Sequence, residues 1–206
     1  MIIAIDGPSG SGKSSIAKQV AKILDIEHLD TGAMYRLFAL KMKKENKEVE
    51  ELLNDLDIRI EKETFYLDGI NVSNEIRENE ISKLASKLSK IDKVREYMVN
   101  MQREISKNKD IVLDGRDIGT VVFPNADFKF FITASPEIRA KRRYLENTSI
   151  DYEIILKDII KRDEQDMNRE IAPLKQAENS ILIDTDNLTL DEVVNKIIKI
   201  VQEKKI

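Results

Sequence analysis

The sequence predicts an α/β fold with a mostly parallel sheet, and three observations lead there. An all-apolar run, "IIAI", opens the chain and meets the pattern "GPSGSGKSS" at once. Short apolar runs then alternate with stretches of helical periodicity as far as the C-terminus. Between them, residues 58–72 alternate apolar and polar around an Asp-Gly pair, which sets a small antiparallel patch inside a βα chain.

Taken in order, residues 2–5 read as a short buried strand bounded by Gly7 and Pro8. The helix behind the glycine-rich loop carries Ile16, Val20, Ile23 and Leu24 close to one face. A second short strand precedes "DTGAMYR", and Ala33 to about Lys44 is helical, with Met34, Leu37, Phe38 and Met42 apolar. Ile58 and Ile60, then Phe65 and Leu67, alternate as in strands, and Asp68-Gly69 supplies the left-handed residues of a tight hairpin. Residues 78–107 form a long helical stretch, with or without a break. "DIVLDG" (110–115) and "FKFFIT" (128–133) read as strands, 136–146 and 151–170 as helices, and "SILID" (180–184) as the last strand. Thr189 and Glu192 have capping-box spacing ahead of a final helix bearing Val193, Val194, Ile197, Ile198 and Val201. No repeat or low-complexity tract interrupts this order.

At 206 residues the chain suits one domain with room for a small inserted lobe. It has no cysteine, which excludes disulfides, thiolate metal sites and a cysteine nucleophile. The opening apolar run is too short for a signal peptide or a membrane span, so a cytoplasmic protein without membrane contact is expected. The net charge of −4 argues against nonspecific nucleic-acid binding. A polyanionic ligand would need positive charge gathered locally. The lone histidine, His28, reads as structural.

Gly7, Gly12, Lys13 and Ser14 fit G-x-x-x-x-G-K-[ST], and residues Gly7, Pro8, Ser9, Gly10, Ser11, Gly12, Lys13, Ser14 and Ser15 form the loop. Its backbone N–H groups and the following helix N-terminus offer partial positive charge to phosphate oxygens. Lys13 can reach the β- and γ-oxygens of a nucleoside triphosphate, and Ser14 can ligate Mg²⁺. Thr31, Tyr35 and Arg36 in "LDTGAMYR" fall at the carboxyl end of a strand, where ligands gather. A capped helix start, with Asp30 or Thr31 as the cap, explains them equally well. In "DGRDIGT", Asp114 ends an apolar strand, from which a carboxylate can orient Mg²⁺ waters. Arg116 could hold a phosphate while Asp117 accepts from an amine or ribose hydroxyl; a glycine-rich turn with a surface ion pair is the plainer alternative. Arg139, Arg142 and Arg143 share one helical face, as do Arg162, Asp166 and Arg169. Solvated i,i+4 pairs or neutralisation of a transferring phosphoryl group both suit those clusters.

"IDGPSGSGKSS", "LDTGAMYR", "VSNEIR", "VRE", "DGRDIGT" and "RDEQDMNRE…APL" occur in the order seen in bacterial cytidylate kinases, and the chain resembles that family from Ile3 to about Leu174. The resemblance implies a P-loop nucleoside monophosphate kinase fold: a three-layer α/β arrangement on a five-stranded parallel sheet. Its core would be about 1–44, 108–144 and 171–206, with an enlarged monophosphate-binding lobe at about 45–107 and a helical lid at about 145–170. It places Thr31, Tyr35 and Arg36 at the CMP site, Ser86 and Arg95 on cytosine, Arg116 on the α-phosphate and Asp117 on the pentose. Asp166 and Arg169 would join that CMP site, and Arg139 and Arg143 the ATP site. Lys13, Arg116, Arg162 and Arg169 would be catalytic, with Mg²⁺ on Ser14 directly and on Asp114 through water. The implied reaction is ATP-dependent phosphorylation of CMP and dCMP by a monomer. Gln165 and Met167 stand where some relatives carry arginine, and Thr31 where serine is common. Rival readings are a P-loop kinase for AMP, UMP or a nonnucleotide alcohol, and a nucleotide-binding switch; the latter lacks an Asn-Lys-x-Asp guanine signature.

Overall fold

The computed structural model describes residues 1–45, 47–61 and 63–203; positions 46, 62 and 204–206, within the ranges expected for the lobe and the core, lie outside the described residues. Two compact units divide the chain: Met1–Leu29 with Asn108–Ile206, and Asp30–Lys107.

The first unit is built on β1 (Ile2–Asp6), β2 (Glu27–Asp30), β6 (Ile111–Gly115), β7 (Phe128–Thr133) and β8 (Ile181–Asp184), which form a five-stranded sheet in the order β2-β6-β1-β7-β8. β1 pairs parallel with β6 and β7, and β7 with β8. Helices cover both faces, as parallel strands require. α1 (Lys13–Leu24) and α8 (Leu190–Glu203) share one core cluster with the sheet: Ile16 and Val20 from α1, Val194 and Ile197 from α8, Ile3, Ile5 and Phe130 from the strands. Thr189 and Glu192 cap α8 reciprocally. The Glu192 side chain accepts from Thr189 N at 2.8 Å, and the Thr189 hydroxyl accepts from Glu192 N at 3.3 Å. α6 (Pro136–Glu146) and α7 (Tyr152–Met167) make a separate apolar contact through Ala140, Ile155 and Ile159. Tyr144 meets Tyr152 edge-on there, with ring centroids 6.4 Å apart.

The second unit begins with α2 (Thr31–Glu45) and continues through α3 (Val49–Asn54) to an antiparallel sheet of β3 (Ile58–Glu61), β4 (Thr64–Leu67) and β5 (Ile70–Asn71). The β4–β5 turn has Asp68 at φ 49° and Gly69 at φ 76°, the pair of left-handed residues that the Asp-Gly dipeptide predicts. The Lys41 ammonium, on the buried side of α2, binds both oxygens of Asp68 at 2.9 Å and Glu45 at 3.1 Å, which fastens that turn to the helix. The helical stretch near 78–107 is two helices, α4 (Asn79–Leu88) and α5 (Asp92–Ile105), broken where Ile91 turns extended.

Two elements depart from the periodicity. α7 stops at Met167 rather than near 170: Asn168 leaves the helical region and its N–H closes the last turn on Glu164 O at 3.0 Å. Residues 118–122 form a π-type turn, closed by Phe123 N on Ile118 O at 2.7 Å, which no local pattern announces. No helix among the described residues is long and apolar enough to cross a membrane.

Candidate active site

Gly7 follows β1 directly with no room for a side chain: a Cβ there would sit 2.0 Å from the Ile132 carbonyl oxygen. That close approach of loop to strand explains the glycine and sets the start of the phosphate nest. Gly10 and Gly12 have positive φ, and Gly12 leads directly into α1, so the loop's N–H groups and the helix N-terminus converge. Lys13 is buried, and its ammonium donates to Pro8 O across the loop at 3.2 Å.

Ser14 Oγ donates to Asp114 Oδ2 at 2.5 Å, and His28 Nε2 lies 2.8 Å from Asp114 Oδ1. Burial alone would raise the Asp114 pKa, but His28, Lys13 and Ser14 together hold the carboxyl below its ordinary value. His28 therefore belongs to this cluster, where it orients Asp114. The signal available was its place one residue before Leu29 on β2, the strand beside β6.

Asp6, the last residue of β1, is buried, and its two carboxylate oxygens accept from Ile118 N at 2.8 Å and Gly119 N at 2.7 Å. Those amides follow Arg116 and Asp117 directly. Arg116 Nε donates to Asp166 Oδ2 at 2.9 Å, and Arg169 pairs with Asp166 Oδ1. Burial would raise the Asp166 pKa, but Arg116, Arg169 and Arg162 outweigh it and keep the carboxylate charged. Arg169 Nε is buried with no hydrogen-bond partner. One carboxylate thus gathers two guanidinium groups at contact distance and a third by charge. Arg169 reaches it from beyond the end of α7, not from the shared helical face that its spacing predicts.

Arg139 is saturated by protein. Its guanidinium donates to Ala134 O at 2.8 Å, to Ser9 O at 3.0 Å, and to both oxygens of Asp163. It ties α6 to the loop backbone and to α7. Arg142 points elsewhere, donating to Thr185 O at 2.7 Å and Thr185 Oγ1 at 3.1 Å behind β8. Arg139 and Arg142, which share a helical face, do not stay together as one cationic patch, because they reach for different carbonyls. Asp163 lies in "RDEQDMNRE" beside Arg162, but nothing in its spacing pointed to Arg139.

In the second unit, Asp30 caps α2 by accepting from Ala33 N at 2.9 Å, and its other oxygen pairs with Arg36 at 2.8 Å. The stretch is a capped helix start, with Thr31, Tyr35 and Arg36 all in its first two turns. Arg36 Nε is left without a hydrogen-bond partner. Ser86 lies on α4 and Arg95 on α5, on either side of the break, and both are linked to Ser89. Ser89 Oγ donates to Ser86 O at 2.9 Å, and Arg95 donates to Ser89 O at 3.3 Å. The Ser86 hydroxyl is buried with no protein partner, and Arg95 is buried. A buried hydroxyl without a protein partner and a buried guanidinium are each groups that a polar ligand can satisfy.

A model of the cytidylate kinase family matches residues 3–203. The chain belongs to the cytidylate kinase family. It is 49% identical to the cytidylate kinase of Thermosipho melanesiensis over 98% of this chain and 97% of that one. It is 46% identical to the cytidylate kinase of Fusobacterium nucleatum, which it matches over 100% of its own length and 99% of the relative's. Among solved structures, it is similar in fold to shikimate kinase from Bacteroides thetaiotaomicron, with a TM-score of 0.55, 13% identity and 98% of both chains covered. It is likewise similar to a gluconokinase from Sinorhizobium meliloti 1021, with a TM-score of 0.53, 14% identity, and 96% and 89% of the chains covered. Those two likenesses speak to the fold. As a cytidylate kinase family member, the chain has its loop and its Asp166 arginine cluster on residues that the sequence motifs mark; Asp6 and Asp163 lie inside those motifs, and His28 lies just ahead of "LDTGAMYR".

Proposed function

We propose that this chain transfers the γ-phosphoryl group of ATP to the α-phosphate of CMP or dCMP, giving ADP and CDP or dCDP. The observation that supports it most is the gathering of Arg116 and Arg169 on the buried Asp166, with Arg162 acting on the same carboxylate, in the unit that carries the phosphate loop. Two polyanions can react only if their charge is met by preorganised cations, and an acidic chain must concentrate them.

Residues Gly7 to Ser15 and Lys13 hold the triphosphate, with Arg139 supporting the loop through Ser9 O and Arg143 on the same helix serving the nucleotide. Thr31, Tyr35 and Arg36 bind CMP. Ser86 and Arg95 read the cytosine, Arg116 takes the α-phosphate, and Asp117 takes the pentose. Asp166 sets the direction of Arg116 and Arg169. Ser14 and Asp114 present hydroxyl and carboxylate oxygens 2.5 Å apart beside the loop, the donor type Mg²⁺ accepts, so Ser14 would hold it directly and Asp114 through water. When bound, Mg²⁺ neutralises charge on the β- and γ-oxygens.

The acceptor oxygen is already anionic near neutral pH, so no general base is required, and the one histidine is engaged with Asp114. In-line attack forms the new P–O bond as the bond to the β-oxygen breaks. Lys13, Arg116, Arg162 and Arg169 stabilise the charge that develops. The family resemblance supports a cytoplasmic monomer.

An acceptor screen with ATP tests this reading. CMP and dCMP are expected to give far higher kcat/KM than AMP or GMP, and simple alcohols are expected to give none. Preference for AMP or for a nonnucleotide alcohol would overturn it.

A further inference from the structure

We propose that Asp6 is a positioning residue: from the end of β1, its carboxylate holds the turn that presents Arg116 and Asp117. The proposal rests on the reading that those two residues meet the acceptor nucleotide. Its basis is the way one residue brackets both sides of a two-residue span. The backbone of Asp6 is the register partner of Gly115 in β6, just before Arg116. The side chain of Asp6 takes the amides of Ile118 and Gly119, just after Asp117, at 2.8 and 2.7 Å.

The turn cannot supply those acceptors itself. Its internal bonds run from Val121 N and Val122 N to Asp117 O, and from Phe123 N to Ile118 O. The first amides of any helical turn have no partner within it. Asp6 is thus a remote cap, 112 residues away in sequence. Nor can the turn drift sideways. A Cβ on Gly119 would already meet the Lys129 side chain at 3.1 Å and Ala177 Cβ at 3.3 Å.

The choice of residue fits this task better than it fits stability. A carboxylate offers two coplanar acceptors and no donor, which two adjacent N–H groups require. Asparagine would turn an NH₂ group toward one of them. Burial of the charge is costly: it pushes the Asp6 pKa up to about 7, with Asp117 adding to the rise while the two amides and Lys13 oppose it. An apolar residue at the end of this strand would avoid burying a charge but would leave both amides without an acceptor and the turn unheld.

The test uses the full chain and Asp6→Asn, with Asp6→Ala as a second variant. At pH 8, KM for CMP is expected to rise severalfold and kcat/KM for CMP to fall about 10–100-fold, as for a displaced positioning group, while KM for ATP stays within about twofold of wild type. A merely structural role would lower the active fraction and leave both KM values unmoved. Hydrogen exchange supplies a readout independent of activity: the Ile118 and Gly119 amides are expected to be protected in the wild-type chain and released in the variants. Free exchange at those amides in the wild type would overturn the proposal whatever the variants do. A wild type that forms CDP, matched by both variants in KM and kcat, would overturn it alone. A wild type that forms no CDP would overturn the proposed function with it.

Discussion

Lys13 is the side chain on which the chemistry leans most. It is buried against its own loop, with Pro8 O as a tether, and it lowers the proton affinity of Asp114 nearby. Lys13→Ala is expected to cut kcat by several powers of ten, on the order of 3–5 kcal/mol of lost transition-state stabilisation. Steady-state kinetics at saturating ATP checks this, and a near-normal rate would contradict the role. Arg95→Ala is expected to raise KM for CMP about tenfold or more and to leave KM for ATP unchanged, as loss of a base contact should. Equal effects on both would show that Arg95 does not read the base. Lys13 was legible in the sequence because a phosphate nest is a local object, made by consecutive residues. His28 and Asp6 were not, because their partners lie 86 and 112 residues away. A lone histidine on a strand looks structural until the neighbouring strand brings Asp114 to it.

Strands and helices carry a different kind of information. The Arg139–Asp163 pair joins α6 to α7 and, through Ser9 O, both to the phosphate loop. Its charges are almost wholly buried, with 3% and 10% of the two side chains exposed. Asp163→Ala should leave a buried guanidinium short of its partner and cost about 3–5 kcal/mol of stability, visible as a lowered Cm in denaturant melts. A loss under about 1 kcal/mol would show that the pair is solvated in practice. Most elements were readable from period alone: β1, α1, the Asp68-Gly69 hairpin and the capped α8 each follow from apolar spacing and turn chemistry. α3 escaped because six residues are too few for helical periodicity to register. The 118–122 turn escaped because its stabilising acceptor comes from another strand. Arg139 and Arg142 of α6 share a face in the sequence, yet their long side chains end on separate carbonyls, which helical spacing cannot foresee.

Across the full chain, buried carboxylates set how stability responds to pH. Asp6 goes from an ordinary carboxyl value of 3.8 to about 7 in the fold. The native state therefore binds more protons than the unfolded state between those values. Its contribution is most favourable below about pH 4 and is lost as pH rises toward 7, with a slope of up to about 1.4 kcal/mol per pH unit. Asp166 acts in the opposite sense: its lowered pKa adds stability above the ordinary carboxyl range, lost as acid protonates it. Denaturant melts from pH 5 to 8 should show wild type losing stability relative to Asp6→Asn as pH rises. Parallel curves would mean that Asp6 titrates normally. The parallel sheet and its antiparallel insert were legible at this level, since βα alternation and the Asp-Gly hairpin are written in residue order. The Ser86–Arg95 pair had no such signature, and only resemblance to the family marked it.

The central claim is that the γ-phosphoryl group of ATP goes to a cytidine monophosphate. Incubating the chain with γ-labelled ATP and CMP measures that directly. The label is expected in the β-position of CDP, one CDP for each ADP formed, with little label released as inorganic phosphate. Label appearing as inorganic phosphate at the same rate with and without CMP would contradict the account.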